Sequence, residues 1–465
     1  MIPPGVPIVT AAEMRAAEEA VFRRERQLDV MERAGAAVAR EAARFATGRP
    51  VLVVAGPGNN GGDAYVCARH LRQGGLDVSV AAMGEPKAGA AAEMWSRWEG
   101  PVVSLYEARP RPMLVDGLFG TGMTRPLERG PRALLADLVT AADFSLSIDL
   151  PSGLETDSGA DFGAPRVSAT LALAALKPAH VLDAGLERCG HVLLADIAIP
   201  VAAHRRAAAR PRLAPPGAGD HKYSRGMVVA VECAMPGAAR LAARAAMAGG
   251  AGYVTLAGAD PRGGGPDALV RTRIEAAEDL AELLESDRIA SVVIGPGLGR
   301  ERRSEALLKA ALACPHPLVL DGDALTLLGR QAGRWLRDRR APTWLTPHAG
   351  EFARMFEGEG SKIDRTLGLV LETGATVLHK GADTVIAGTD GAVRVLAGAS
   401  PWLSTAGTGD VLAGLLAAQA ARGLRGVAAA EAAVWLHARA ASLAGPAFAA
   451  DALVDHAAAA LGECV

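Results

Sequence analysis

Val51-Leu52-Val53-Val54-Ala55 runs directly into Gly56-Pro57-Gly58-Asn59-Asn60-Gly61-Gly62-Asp63. An apolar run of strand length ends in a glycine-rich polar turn, and helical spacing follows it. In open α/β sheets such a junction receives ligands, because strand carboxyl ends and the first N–H groups of the next helix meet there. A second junction lies far along the chain, where Thr405-Ala406-Gly407-Thr408-Gly409-Asp410 precedes the apolar, helix-like run Val411–Ala418. Free backbone N–H groups and the helix dipole favour phosphate at both places. Each cradle ends in an aspartate. Two phosphate-type sites, each with its own carboxylate, predict two catalytic domains acting on nucleotide-like ligands.

The chain has 465 residues, for which two domains of about 200 and 250 residues are the natural expectation. Half of the residues are hydrophobic, enough for a core in each half. Net charge is −2 with no basic block, which argues against nucleic acid or an acidic membrane as the main partner. The five cysteines, Cys67, Cys189, Cys233, Cys314 and Cys464, form no CxxC pair. A disulfide framework or zinc site is not expected, and a reducing, cytoplasmic compartment fits. The stretch Met1–Pro7 has no charged region followed by an apolar one, so no signal peptide is expected. Apolar runs are broken by charge or glycine before about 18 residues, so no membrane span is expected.

Residues 10–46 are rich in Ala, Glu and Arg at helical spacing, predicting helices that pack on the first sheet or on another subunit. Short apolar strands then alternate with helical segments: Val51–Ala55, Val78–Ala82, Met113–Val115, Phe144–Ile148 and Val192–Ile199. This is the rhythm of a parallel sheet covered on both faces. Proline and glycine density over 201–219 marks a linker, giving domains 1–212 and 213–465. The alternation restarts at Gly226–Glu232 and continues at Tyr253–Ala257, Ser291–Ile294, Pro317–Leu320, Thr343–Leu345 and Thr376–His379. A hairpin is predicted over Thr384–Leu396, turning at Thr389-Asp390-Gly391, before Ala-rich closing helices.

The first cradle is not a P-loop, since no Lys-Ser/Thr follows its glycines. Nor does an acidic residue end a second strand about 20 residues on, in the position of a ribose-binding acid. What remains is an Asn-Asn-Gly-Gly-Asp turn at a helix start, which as a purely structural feature would be an Asx cap. Asn59 and Asn60 offer carboxamide oxygens suited to a monovalent cation, and Asp63 can act as a base. Asp116-Gly117-Leu118-Phe119-Gly120-Thr121-Gly122 and Asp149-Leu150-Pro151-Ser152-Gly153 also follow strands and also begin with an acid. Three carboxylates at three strand ends make a site geometry.

Together GPGNNGGD, DGLFGTG with Arg125-Pro126 after it, and IDLPSG closely resemble the N-terminal domain of bacterial NAD(P)H-hydrate repair proteins, the YjeF-type epimerase. The resemblance covers about residues 10–200. It implies a Rossmann-like three-layer domain that interconverts the R and S hydrates of NADH and NADPH at C6 of the nicotinamide ring. By resemblance, Asn59, Asn60, Gly61, Gly62 and Asp63 bind the hydrate, with Gly120, Thr121, Gly122, Met123, Thr124, Arg125, Pro126 and Asp149. Asp63 and Asp149 are the candidate catalytic groups. Asn60, Asp116 and Ser152 would hold a potassium ion. Ala64 stands where the family usually has another glycine, and its place inside the helix predicts little consequence.

Ala406-Gly407-Thr408-Gly409-Asp410 is similar to the anion hole of ribokinase-like kinases. Consecutive N–H groups at a helix start stabilise a transferring phosphoryl group, and Asp410 can take the proton of the attacking hydroxyl. The alternative is that Asp410 only caps the helix. Gly295-Pro296-Gly297-Leu298-Gly299, Asp321-Gly322-Asp323 and Thr346-Pro347-His348 each end a predicted strand. His348 is either a substrate ligand or a structural histidine. Lys380-Gly381-Ala382-Asp383-Thr384 resembles a nucleotide-phosphate loop, with Lys380 either a charge partner or a solvated surface residue.

This half resembles the ADP-dependent (S)-NAD(P)H-hydrate dehydratase of the same bifunctional proteins, over about residues 215–460. His221-Lys222, Gly237-Ala238 and Gly249–Gly252 agree with it. The resemblance implies a ribokinase-like α/β domain that phosphorylates the S-hydrate from ADP, with Mg2+, and eliminates phosphate to restore NAD(P)H and leave AMP. Gly297, His348 and Asp410 would bind hydrate; Lys380–Thr384 and Gly409 would bind nucleotide. Pro401-Trp402-Leu403-Ser404-Thr405 departs from the family's usual run. A homo-oligomer is the expected assembly. Two further readings remain: a small-alcohol kinase regulated by the first half, and a first half that is a non-catalytic nucleotide-binding or interaction module.

Overall fold

The computed structural model describes residues 2–260 and 265–465. The chain divides into two compact units, one ending at Ala207 and the other beginning at Ala208. No described helix is long and apolar enough to cross a membrane.

In the first unit the strands Val102–Ser104, Val78–Ala82, Val51–Ala55, Met113–Gly117, Phe144–Ile148, Ala169–Leu173 and His191–Ala195 lie side by side in that order, all parallel. Alternation along Val51–Ala55 explains the layers. Val51, Val53 and Ala55 bury against the helices Gln27–Ala46 and Asn59–Gln73 through Val30, Ala34, Val38, Ala64 and Tyr65. Leu52 and Val54 face the other way and pack with Leu114 and with Leu135 and Leu138 of helix Arg129–Ala141. Each such aliphatic side chain contributes roughly 1.5–3 kcal/mol on burial. From its central strand the chain builds outward to one side, then returns to build the other. The switch falls between Val51–Ala55 and Met113–Gly117, at the mouth of the first glycine-rich cradle. Ala64 is buried in the helix, and its methyl fits because Gly117 opposite carries no side chain.

Three strands depart from the sequence expectation. His191–Ala195 ends earlier than predicted because Asp196 closes an Asx turn, its Oδ1 accepting from the N–H of Ala198 at 2.8 Å. Ala169–Leu173 and Val102–Ser104 carry no strand signature: the first is Ala/Leu-rich and reads equally as helix, and the second has only three residues.

In the second unit the order is Val270–Arg273, Tyr253–Gly258, Met227–Val231, Ile289–Ile294, Leu318–Leu320, Thr343–Leu345 and Thr376–His379, all parallel. The antiparallel pair Asp383–Ala387 and Val393–Ala397 continues it and forms the expected hairpin. The short polar strand Val270–Arg273 at the edge was missed. Helix Thr408–Ala421 is buried on every side, as its unbroken apolar sequence requires. It is pinned by Ser291 Oγ donating to Ala417 O at 2.7 Å and Gln419 Nε2 donating to Gly249 O at 2.9 Å. It packs closely on helix Pro236–Ala248, and Gly414 makes that approach possible: a Cβ there would lie 2.0 Å from Ala242 O.

Gly414→Val should therefore destabilise the second unit by about 3 kcal/mol or more, the upper range for overpacking. Denaturant unfolding of the variant reads this directly, and an unchanged midpoint would mean that the two helices can separate at no cost.

Candidate functional site

In the first unit the turn 56–63 lies at the switch point. Helix Asn59–Gln73 has Gly58 as its N-cap and no side-chain cap, so the Asx-capping alternative is not what these residues do. Gly61 allows the turn to close, since a Cβ there would meet Gly56 O at 1.8 Å. A cavity of about 430 Å³ opens beside it, with Asn60, Asp63, Gly120 and Asp149 in its wall, together with Glu18 and Lys177.

Asp149 is held from three directions. Its φ of +62° is a left-handed conformation that costs an Asp about 1 kcal/mol or more. The neutral imidazole of His180 fixes that turn. Its Nδ1 accepts from the Lys177 N–H at 2.8 Å, so its Nε2 carries the proton and donates to Asp149 O at 2.6 Å. Burial pushes the His180 pKa down to about 4, which keeps the ring neutral. Asp149 Oδ1 accepts from the Leu173 N–H at 3.0 Å and is ion-paired with the buried Lys177. Its Oδ2 accepts no hydrogen bond among the described residues and remains for a ligand.

Asp63 is the opposite case. Its carboxyl is buried and accepts no hydrogen bond among the described residues. Burial, and then the charges of Asp149 and Glu18, raise its pKa well above the ordinary value. Glu18 itself is raised, chiefly by burial. A carboxyl with raised proton affinity beside a carboxylate held by a lysine is an arrangement suited to moving a proton.

Asp116 is wholly buried and accepts from Ser152 N (2.9 Å), Ser152 Oγ (2.7 Å), Ser147 Oγ (3.1 Å) and Leu118 N (3.2 Å). Burial raises its pKa against the pull of these bonds. Ser152 Oγ also accepts from Phe119 N at 2.8 Å, tying the Asp116 and Asp149 loops together. Asn60 Nδ2 is buried without an acceptor. With the amide turned over, that position becomes a buried oxygen, the kind of group that suits a cation.

Sequence reasoning missed Glu18, Lys177 and His180. Lys177 had a signal: a single charge in the apolar run Leu171–Ala179 belongs to the interior only if paired.

In the second unit Gly295, Asp321, Thr346 and Lys380 follow four neighbouring parallel strands, Ile289–Ile294, Leu318–Leu320, Thr343–Leu345 and Thr376–His379. Lys380 is not solvated. Its Nζ sits 2.7 Å from Asp321 Oδ1, which also accepts from Thr346 Oγ1 at 2.7 Å. Burial works against its charge, but Asp321 and Glu351 outweigh that and hold its pKa above the ordinary value. A Cβ on Gly409 would lie 3.4 Å from Lys380 Nζ, so the ammonium faces the start of helix Thr408–Ala421.

That helix has Gly407, φ +89°, as N-cap and no side-chain cap, so Asp410 does not cap it. Burial, reinforced by Asp321 and opposed by Lys380, pushes the Asp410 pKa up to about 6. Buried His437 supports the turn through Nε2 and Thr408 O at 2.9 Å.

His348 has one nitrogen engaged structurally: Nδ1 accepts from Gly350 N (3.0 Å) and Glu351 N (3.3 Å), capping helix Ala349–Met355. Its ring is otherwise more than half exposed, with Nε2 3.4 Å from Glu351 Oε1. Gly297 turns the loop after Ile289–Ile294 and bonds back to Met235 N at 2.8 Å. In the loop Lys380–Thr384, Asp383 is paired with Lys362 at 2.6 Å and Thr384 Oγ1 donates to Gly381 O at 3.0 Å. Of this loop, Lys380 is the group that faces the start of helix Thr408–Ala421.

Two family models match this chain, one described as NAD(P)H-hydrate dehydratase over residues 227–461 and one as YjeF-related protein N-terminus over residues 27–179. A bifunctional NAD(P)H-hydrate repair enzyme Nnr of Thermofilum pendens is 35% identical over 443 residues, covering 85% of this chain and 83% of its own. The protein of the same description from Gloeobacter violaceus is 36% identical over 474 residues, covering 93% and 92%. A solved ADP/ATP-dependent NAD(P)H-hydrate dehydratase from Bacillus subtilis, co-crystallised with ATP/Mg2+, aligns with 55% of this chain and 95% of its own at 25% identity and TM-score 0.48.

The raised pKa of Asp63 has a consequence for stability. A carboxyl whose folded pKa exceeds its unfolded one costs stability as pH climbs from the unfolded value towards the folded one, about 1.4 kcal/mol per pH unit crossed. Asp63→Asn should thus be more stable than the wild type at pH 7 and approach equality with it at about pH 3, below the ordinary aspartate pKa, where both states are largely protonated. Denaturant melts at the two pH values measure this. A variant less stable than wild type at pH 7 would mean that Asp63 has a stabilising partner.

Proposed function

The chain belongs to the family of bifunctional NAD(P)H-hydrate repair enzymes, and on that premise we propose a role for each group in the two sites. The first domain epimerises the R and S hydrates; the second dehydrates the S form with ADP, giving NAD(P)H, AMP and phosphate. We place this work in the cytoplasm, where the five cysteines stay reduced.

In the epimerase site, C6 of the hydrate carries a hydroxyl beside the ring nitrogen N1. Asp63, whose proton affinity burial raises, gives its proton to that hydroxyl, which leaves as water as N1 forms an iminium. Water adds to the other face and its released proton returns to Asp63 through the solvent of the cavity. Asp149, fixed by Lys177, orients the hydrate through its free Oδ2. Asn60, Asp116 and Ser152 are the residues for a potassium ion, and the orphaned Asn60 amide is the feature that favours one. Such an ion would lend positive charge to the hydrate's polar end.

In the dehydratase site, ionised Asp410 takes the proton of the S-hydrate hydroxyl. That oxygen attacks the terminal phosphorus of ADP and AMP leaves. The N–H groups at Gly407–Gly409 and Lys380 offset the charge on the transferring phosphoryl group. Phosphate then departs from C6, pushed by N1, and a proton lost from C5 restores the ring double bond. Asp321 and Glu351 are the carboxylates available to a Mg2+ that arrives with ADP, where it would neutralise phosphate charge. Gly297 and the exposed face of His348 border the hydrate. The observation that carries this reading is an unpaired acid, Asp410, at an uncapped helix start faced by a half-buried lysine. A small-alcohol kinase would release a phosphorylated product instead.

Asp410→Asn should abolish NADH return from S-hydrate and ADP, by about 10²–10⁴-fold, with epimer exchange intact. In the wild type this rate should rise with pH through about 6, as Asp410 ionises. Near-normal NADH return from the variant, followed at the NADH absorbance band, would remove Asp410 from the mechanism.

Epimer exchange should run faster in potassium than in sodium, because neutral amide and hydroxyl oxygens beside one carboxylate suit a large monovalent ion. Equal rates after complete replacement of potassium by sodium would count against the site.

A further inference from the structure

The first domain has a second cavity, about 540 Å³, that shares Phe119, Gly120, Thr121 and Gly122 with the first. Met83, Tyr106 and Arg125 also line it. Tyr106 is 66% exposed although the residue before it, Leu105, is fully buried. It stands on a short 3-10 turn, Leu105–Glu107, that Ser104 caps, so the ring is presented from a fixed backbone. Glu107 closes that cap by accepting from Ser104 N at 3.4 Å. Arg125 forms no ion pair among the described residues.

A dinucleotide hydrate is two nucleotides joined by a diphosphate. Two cavities with one common wall match that two-part shape. The proton-moving groups all belong to the first, so the hydrated ring must lie there. Resting on the epimerase reading above, we propose that the second cavity receives the adenosine half of the hydrate. Adenine stacks on Tyr106, and Arg125 faces the diphosphate as it crosses the shared wall. A phenol ring offers a flat apolar face at low cost in side-chain entropy, and a base needs no hydrogen-bond code to use it. Tyr106 would then be a specificity-determining residue: it acts on the part of the substrate that does not react, and so on binding.

The test compares epimerisation of NADH hydrate with that of the hydrate of reduced nicotinamide mononucleotide, which lacks the adenosine half. Wild type, Tyr106→Ala and Tyr106→Phe are measured as full-length proteins. Tyr106→Ala should raise KM for NADH hydrate about tenfold, the scale of losing an aromatic platform under a base, with kcat unchanged. With the mononucleotide hydrate it should match the wild type, and Tyr106→Phe should match the wild type on both. An unchanged KM for NADH hydrate in Tyr106→Ala, or an equal loss on both substrates, would overturn the assignment. A wild type that epimerises neither substrate would overturn the epimerase reading itself, so the two failures are distinguishable.

Discussion

A parallel strand must hand its chain to a helix at its carboxyl end, and that one constraint organises both halves of the molecule. It puts every strand's last carbonyls and every following helix's first N–H groups on one edge of the sheet. Polar loops therefore gather there whatever their separation in sequence. Residues 56–63, 116–122 and 149–153 meet at one edge, and residues 295–299, 321, 346 and 380 at the other. The cores beneath are apolar on both faces of the sheets, so the edge is the one place where charge can collect.

The two sites solve their electrostatics in the same way. Each has an aspartate locked to a lysine, Asp149 to buried Lys177 and Asp321 to half-buried Lys380. Each sets a second, unpaired aspartate beside that pair, Asp63 and Asp410, with a pKa raised by burial and by the neighbouring carboxylate. The paired acid is fixed in place by its lysine; the unpaired one holds its proton more tightly than an ordinary aspartate. Burying an ion pair costs desolvation that the pair itself only partly offsets. The gain is a carboxyl with raised proton affinity, its pKa about 6 for Asp410, closer to where acid–base work is most efficient. The two sites thus share one arrangement, and the second adds an uncapped helix start faced by a lysine.

Much of this was legible in the chain. The strands Val51–Ala55 and Phe144–Ile148, the hairpin after Thr384 and the buried helix after Gly407 follow from apolar period and glycine placement. So do the three acids at three strand ends. Ala169–Leu173 was not legible, because five small or aliphatic residues favour helix and strand alike and only the neighbours on each side decide. Nor could the sequence separate Asp63 from Asp149. Both follow glycine-rich or turn-forming signals, but Asp149 meets Lys177 and Asp63 meets no partner among the described residues.

The sequence by itself therefore determined where strands stop, where helices begin, and which acids reach the edge of a sheet, because period and turn chemistry are local properties. Tertiary structure alone decided which acid is paired and which is free. It turned Lys380 inward, engaged one nitrogen of His348 as a cap, and brought Lys177 and His180 beneath Asp149. Those outcomes depend on distance through space and on exclusion of water, and a pKa belongs to a side chain's surroundings rather than to its place in the chain.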